Sequence, residues 1–264
     1  MRIVLLPGWN EAGKYMSTFA YGRHGLDGLN AFGYDCSIFA DGHDGIRVRI
    51  DHFAAFLDRL RVREPDAFPV ATLGYSAGGL INRGFLRAYP ERAGEIAATI
   101  QVAAPNTGLQ TNYAAATLRF ARFPTHMLRD MDVESPFMRW LNGVGGEWEP
   151  DPDNPRKQRW HLRGKPWVAP EGHRILQIAG RMPKYHLQSD GVVLVESANL
   201  DGAMPTAYID GDEANHLNLG AVDNIFATIF RRFKHDDRVW PRVVELCAKF
   251  LRAEPIRETS APLA

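Results

Sequence analysis

Short apolar runs of strand length alternate with apolar stripes at helical spacing along most of this chain. Ile3 to Leu6 is a continuous apolar run, closed by Pro7-Gly8-Trp9-Asn10, and predicts a strand followed by a loop. A helix is expected near His24 to Phe32. A second strand, Asp35 to Ala40, follows, then a turn at Asp41-Gly42-His43-Asp44-Gly45. Ile50, Phe53, Ala54, Leu57 and Leu60 recur three and four apart and mark an amphipathic helix. Val70-Ala71-Thr72-Leu73, entered through Phe68-Pro69, reads as a buried parallel strand. Leu80 to Tyr89 reads as a helix stopped at Pro90. Further strands are expected at Ile96 to Ala103, Arg174 to Ala179 and Thr206 to Ile209. Val222, Ile225, Phe226, Ile229, Phe230 and Phe233 give one helical stripe, and Val243, Leu246, Cys247 and Phe250 another. Between Leu109 and Gly172 the rhythm breaks down. Strand-helix alternation of this kind implies an α/β fold, its sheet mostly parallel and covered on both faces. The chain after Ala253 is expected to fray.

The turn between the Val70 strand and the Leu80 helix reads Gly74-Tyr75-Ser76-Ala77-Gly78. It has the form G-x-S-x-G in the strand-turn-helix context that makes a nucleophile elbow. Such a turn strains the serine backbone and lifts Oγ above the sheet. Bulky side chains two residues before or after the serine would clash, which gives Gly74 and Gly78 a steric task. The main-chain N–H of Ala77, opening the helix, would face a developing oxyanion.

A serine hydroxyl is a weak nucleophile at neutral pH and needs a base. His216 lies in Asp212-Glu213-Ala214-Asn215-His216-Leu217-Asn218, after the last short strand and before a helix expected from Ala221. The acid should lie between serine and histidine in the chain. Asp190, in Gln188-Ser189-Asp190-Gly191-Val192-Val193, follows the Arg174 strand at a distance that suits it. Asp212 is a rival, but four residues before the histidine is too close. The position after the preceding strand reads Ala103-Ala104-Pro105-Asn106 and offers no carboxylate.

Composition narrows the partners. The 264 residues suit one large α/β domain or two small ones, and 45% apolar residues supply a sizeable core. Lys and Arg together number 31, as do Asp and Glu, so nothing points to nucleic acid or an anionic membrane surface. Cys36 and Cys247 are the only cysteines, both in apolar segments, and are expected as buried thiols. The apolar run at the start is too short for a signal peptide, and no stretch approaches a membrane span. A cytoplasmic protein without integral membrane association is the expectation.

These motifs resemble the bacterial lipase group of the α/β-hydrolase superfamily, over about Ile3 to Asn224. Besides the elbow, Leu6-Pro7-Gly8-Trp9 stands where those lipases have a His-Gly-x loop. Ala104-Pro105-Asn106-Thr107-Gly108 is similar to their T-P-H-x-G stretch, and Ser135 to Asn142 resembles the end of their lid. Asp190-Gly191-Val192-Val193 and Asn215-His216-Leu217-Asn218 resemble their acid and histidine loops. The resemblance implies an α/β-hydrolase core over 1–108 and 173–253, a cap or lid over 109–172, and a tail over 254–264. It also implies that the N–H of Trp9 completes an oxyanion hole with Ala77. Pro7 replaces the usual histidine. Asn218 replaces an aspartate that binds structural calcium in many such lipases, so no metal and no cofactor are expected. Glu147 to Asp153 reads as an exposed acidic loop.

The segment 109–172 holds Trp140, Trp148, Trp160 and Trp167, with Phe120, Phe123, Met127, Met131, Phe137 and Met138. Most are expected to form the cap's own small core and a few to line a site for an apolar acyl chain. The expected activity is ester hydrolysis by Ser76, His216 and Asp190. Thioester cleavage or acyl transfer would use the same groups. A binding protein that lost catalysis is the reading from another class.

Overall fold

The computed structural model describes residues 1–8, 20–21, 28–40, 45–110, 125–151, 154–182, 189–219, 236 and 238–256. Trp9, the turn over 41–44, Phe120, Phe123, the helical stripe from Val222 to Phe233 and the last residues of the tail lie outside them.

Six strands form one parallel sheet: β1 (Arg2–Leu6), β2 (Asp35–Ile38), β3 (Val70–Tyr75), β4 (Ile96–Val102), β7 (Ile175–Arg181) and β8 (Thr206–Asp210). Their order across the sheet is β2-β1-β3-β4-β7-β8. Between β7 and β4 in the chain come β5 (Gly146–Asp151) and β6 (Asn154–Leu162), a separate antiparallel pair. The helices are α1 (Ile46–Arg63), α2 (Ala77–Ala88), α3 (Thr125–Met131), α4 (Pro136–Asn142), α5 (Val195–Ala198), α6 (His216–Leu219) and α7 (Val239–Leu251). Residues Leu29–Phe32 make only a short 3-10 turn of the first expected helix. Among the described residues no helix is long and apolar enough to cross a membrane.

Strand alternation sends successive side chains to opposite faces, and here both faces are covered. Ile3 and Leu5 point into a core shared with Val243, Val244 and Cys247 of α7. Val4 and Leu6 point the other way, into a core shared with Phe53 and Leu57 of α1 and Leu80, Ile81 and Phe85 of α2. Each such aliphatic side chain, taken wholly out of water, contributes roughly 1.5–3 kcal/mol. Gly84 of α2 lets α1 approach, since a Cβ there would stand 2.1 Å from Ile50 Cδ1.

Two expectations for the segment 109–172 fail. Among the described residues, the buried side chains of its helices do not make a core of their own. Met127, Met131, Phe137, Met138 and Leu141 join the same core as α1 and α2, so α3 and α4 dock on the flank of the body. The acidic stretch from Glu147 is a strand through Asp151 rather than a loop. Its carboxylates are matched by arginines: Arg163 meets Glu147 and Glu149, and Arg159 meets Asp151 at 2.9 Å. Trp148 packs edge-on against its cross-strand partner Trp160, centroids 5.4 Å apart. Pro150 is tolerated because it sits at a register shift, where no ladder bond is lost.

Cys247 is buried as expected, but Cys36 is half-buried because β2 is an edge strand. Burial pushes the Cys36 thiol up to about 12 and Cys247 higher still, so neither offers a thiolate at neutral pH.

Candidate active site

The chain direction across the sheet reverses between β1 and β3: β2 lies on one side of β1, and β3 with all later strands on the other. In an open parallel sheet that reversal leaves a crevice at the carboxyl ends of the strands. Pro7-Gly8 leaves β1 there, and Ser76 leaves β3 there.

Ser76 joins β3 directly to α2 with φ 51° and ψ −122°. This left-handed value is rare for a residue with a side chain and costs on the order of 1–3 kcal/mol. The surroundings impose it. Ser76 N–H donates to Val102 O of β4 at 2.8 Å, and Gly79 N–H donates back to Ser76 O at 3.0 Å. The two glycines of the motif leave no room for a side chain. A Cβ on Gly74 would stand 2.4 Å from Gly78 O, and one on Gly78 would stand 2.1 Å from Leu6 O. The steric tasks expected of Gly74 and Gly78 are therefore visible in the backbone.

Two loops from the far side of the sheet bring His216 to this serine. Its Nε2 stands 3.2 Å from Ser76 Oγ, and its Nδ1 stands 2.8 Å from Asp190 Oδ2. An ionised carboxylate only accepts, so the ring proton belongs on Nδ1 and the Nε2 lone pair faces the hydroxyl. Asp190 is held in turn: its Oδ1 accepts from Val192 N–H at 2.9 Å and Val193 N–H at 2.7 Å. The histidine is held at its main chain as well. His216 N–H donates to Asp190 O at 2.9 Å, and Tyr75 Oη donates to His216 O at 2.8 Å. Both His216 and Asp190 are buried, which strengthens their pairing relative to water. Asp212, the rival acid, is exposed. Gly180, near the end of β7, permits the approach: a Cβ there would meet Ala214 O at 2.1 Å and Asp190 Cβ at 3.1 Å.

Ala77 N–H belongs to the first turn of α2, where helical N–H groups have no intrahelical partner. Gly8 lies against the same point, because a Cβ on it would be 2.8 Å from Ser76 Cβ and 3.4 Å from Ala77 N. Trp9, expected to supply the second oxyanion donor, lies outside the described residues.

Two residues at this end are not apparent from the motifs. Tyr75, inside the elbow, carries the hydroxyl that fixes His216, and burial beside Asp190 pushes its phenol well above the usual range. Arg49 of α1 is 1% exposed and donates to Gly8 O at 2.8 Å and Pro7 O at 3.2 Å. A signal for it exists: Ile46, Arg49, Ile50 and Phe53 form one helical stripe, so a cation occupies a core position. Arg83 of α2 is buried likewise. It donates to Asn106 O and Oδ1 at 3.3 and 3.1 Å, Asn142 Oδ1 at 3.1 Å, Val168 O at 3.3 Å and Trp167 O. Burial, with the charge of Arg87 nearby, pushes Arg83 down to about 9, still charged at neutral pH. The side chain of Asn218 lies outside the described residues. Among the described residues no three His, Cys, Asp or Glu side chains gather as metal ligands.

No protein-family model matches the chain, and no curated protein matches its sequence. Solved structures do match its backbone. A metagenomic carboxyl esterase superposes with a TM-score of 0.61 at 15% identity, covering 96% of this chain and 76% of the esterase. The mature Bacillus licheniformis lipase BlEst2 gives 0.55 at 14% identity, covering 87% of this chain and 90% of the lipase. This chain has the α/β-hydrolase fold. The Legionella pneumophila phospholipase PlaB gives 0.57 at 13% identity; the alignment covers 96% of this chain but 63% of the phospholipase. At these identities the likeness to these structures concerns the fold alone.

Proposed function

We propose that the chain is a serine hydrolase of carboxylic esters. One observation carries this reading. A serine in strained backbone geometry at a strand-helix turn faces a histidine ring nitrogen at 3.2 Å, and the other ring nitrogen faces a buried carboxylate at 2.8 Å. Ser76 Oγ attacks the ester carbonyl while His216 Nε2 takes the hydroxyl proton. Asp190 holds the imidazole in the productive tautomer and stabilises the imidazolium. The tetrahedral oxyanion is stabilised by Ala77 N–H at the start of α2 and by Trp9 N–H. His216 returns the proton to the departing alcohol, leaving an acyl-serine. Water, activated by the same histidine, then releases the acid.

Residues 1–108 and 173–253 serve as the catalytic body, 109–172 as the cap and 254–264 as the tail. The preference for an apolar acyl chain rests on the aromatic and methionine content of the cap. With α3 and α4 built into the flank, that preference falls to the rest of 109–172. Medium or long acyl chains are then favoured, since each buried methylene adds up to ~0.8 kcal/mol of binding.

The decisive experiment combines a fluorophosphonate probe with p-nitrophenyl esters of increasing acyl length and one thioester. Ser76 should be the labelled residue, and Ser76→Ala should lose several orders of magnitude in turnover. Labelling at another serine, or a fully active Ser76→Ala, rejects the reading. A monotonic fall in kcat/KM from acetate upward rejects the apolar-chain half alone.

A further inference from the structure

The far end of α2 carries a cluster of cations with no part in the chemistry above. Arg87 lies half-buried in the last turn of the helix. Its guanidinium carbon stands 5.8 Å from the ring centre of Trp140 and 5.1 Å from that of Trp167. Arg47, exposed on α1, lies over Trp140 at 4.7 Å. Arg83, one turn back along α2, stands 5.8 Å from Trp167. Gly143 adopts φ 72° after α4 and brings the main chain against Arg87; a Cβ there would be 3.1 Å from Nη2.

Among the described residues, three like charges gather here with no acid paired to them. Among the described residues Arg47 and Arg87 make no hydrogen bond or ion pair, and every acceptor of Arg83 is a neutral carbonyl. The described acids in the vicinity are engaged elsewhere, Asp130 Oδ2 accepting from Ile46 N–H at 2.7 Å. Asp51, one turn beyond Arg47, accepts from Tyr89 Oη at 2.7 Å, and Asp58 and Glu95 pair with Arg92. Burial holds the Arg87 guanidinium below its ordinary value, as expected of a cation lacking a counter-charge. Stacking on an indole uses the face of a guanidinium and leaves its N–H edges open. Arg47 and Arg87 both stand against Trp140, and two such forks suit an anion with three or more oxygens and up to two charges better than a single carboxylate.

We propose that Arg47 and Arg87, held by Trp140 and Trp167 and backed by Arg83, form a binding site for a phosphate group. The site lies about 16 Å from Ser76 along α2, at 1.5 Å per residue, so it is separate from the serine and does not depend on the hydrolase reading. The phosphate can belong to a soluble compound or to a lipid headgroup.

Calorimetric titration of the whole protein with inorganic phosphate, at constant ionic strength made up with chloride, tests the site. Saturable binding is expected, weakened at least about tenfold by Arg87→Gln and less by Arg47→Gln. Arg87→Lys should be intermediate, keeping the charge but not the fork. Because Arg47 is exposed, its variant keeps the test valid if the Arg87 variants fold poorly. No saturable binding, or equal binding by wild type and both glutamine variants, overturns the proposal. Sedimentation with phosphatidylglycerol vesicles identifies the source. Vesicle binding lost in both glutamine variants supports a lipid headgroup at this site. Phosphate binding without vesicle binding supports a soluble compound. Vesicle binding that neither variant weakens, with no response to phosphate, overturns it.

Discussion

Arg49 and Arg83 are both fully buried cations whose described acceptors are main-chain or amide oxygens, yet they hold different regions. Arg49 gathers the carbonyls of Pro7 and Gly8, the loop pressed against Ser76. Arg83 gathers Asn106, Asn142, Trp167 and Val168, and so ties residues 142–168 to the flank of α2. A buried cation satisfied by carbonyls fixes whatever backbone those carbonyls belong to. At the carboxyl ends of β1 and β3 that backbone is the wall of the proposed oxyanion site. On the flank it is a docked insertion. The same chemistry therefore serves reaction geometry in one region and attachment in the other.

The comparison can be broken by experiment, and the widest margin belongs to the proposed acid of the serine end. Asp190→Asn should lower kcat on the order of 10⁴-fold, because the amide favours the wrong imidazole tautomer. Asp212→Asn, at an exposed position, should change kcat by less than about threefold. Steady-state kinetics on one p-nitrophenyl ester decides between them, and the reverse ranking would move the acid to Asp212.

Arg49→Met should come next. In a planar trans peptide a fixed carbonyl also fixes the N–H that follows it, so releasing the Pro7 and Gly8 carbonyls should disorder a proposed oxyanion donor. We expect kcat to fall by about 10²–10³ with KM nearly unchanged, and fluorophosphonate labelling of Ser76 to slow in parallel. A loss of stability with kcat intact would reduce Arg49 to a structural role.

Arg83→Met should behave oppositely. It strands several buried acceptors, each costing about 1–3 kcal/mol when unsatisfied, partly offset by removing a buried charge. We expect a net loss of about 2–3 kcal/mol in urea unfolding, with kcat for a short-chain ester within a few-fold of wild type. A collapse of kcat at unchanged stability would erase the distinction between the two arginines.

The smallest effect expected is none. The lipase resemblance aligns Asn218 with a calcium-binding aspartate, and an amide is a weaker ligand than a carboxylate for a hard cation, so a chelator should leave both activity and Tm unchanged. A drop in either that added calcium restores would reveal a site built from other residues.

Much of the serine end is legible from residue order because its constraints are local. A G-x-S-x-G turn between an apolar strand and an apolar helix leaves few backbone solutions, and the glycine clearances at Gly74 and Gly78 show why. Asp190 and His216 are recognisable from their loops and their order after Ser76, and the fold brings all three together. The β5–β6 pair is not legible. Its Glu, Pro and Asp residues read as a loop, and only the facing arginines and the Trp148–Trp160 contact make it a hairpin. The flanking position of α3 and α4 is likewise hidden, because an apolar stripe says that a face is buried and not against what.

The order of residues thus determines, through backbone sterics and the two periodicities of apolar positions, the strands and helices and the turn that strains Ser76. What long-range packing decides is which distant groups meet. Arg49 on the Pro7 and Gly8 carbonyls, Tyr75 on the His216 carbonyl and Arg83 on the insertion are all contacts between segments remote in the chain. An apolar helical stripe can signal that a cation such as Arg49 is buried, but not which distant carbonyls receive it, since main-chain acceptors carry no side-chain signature.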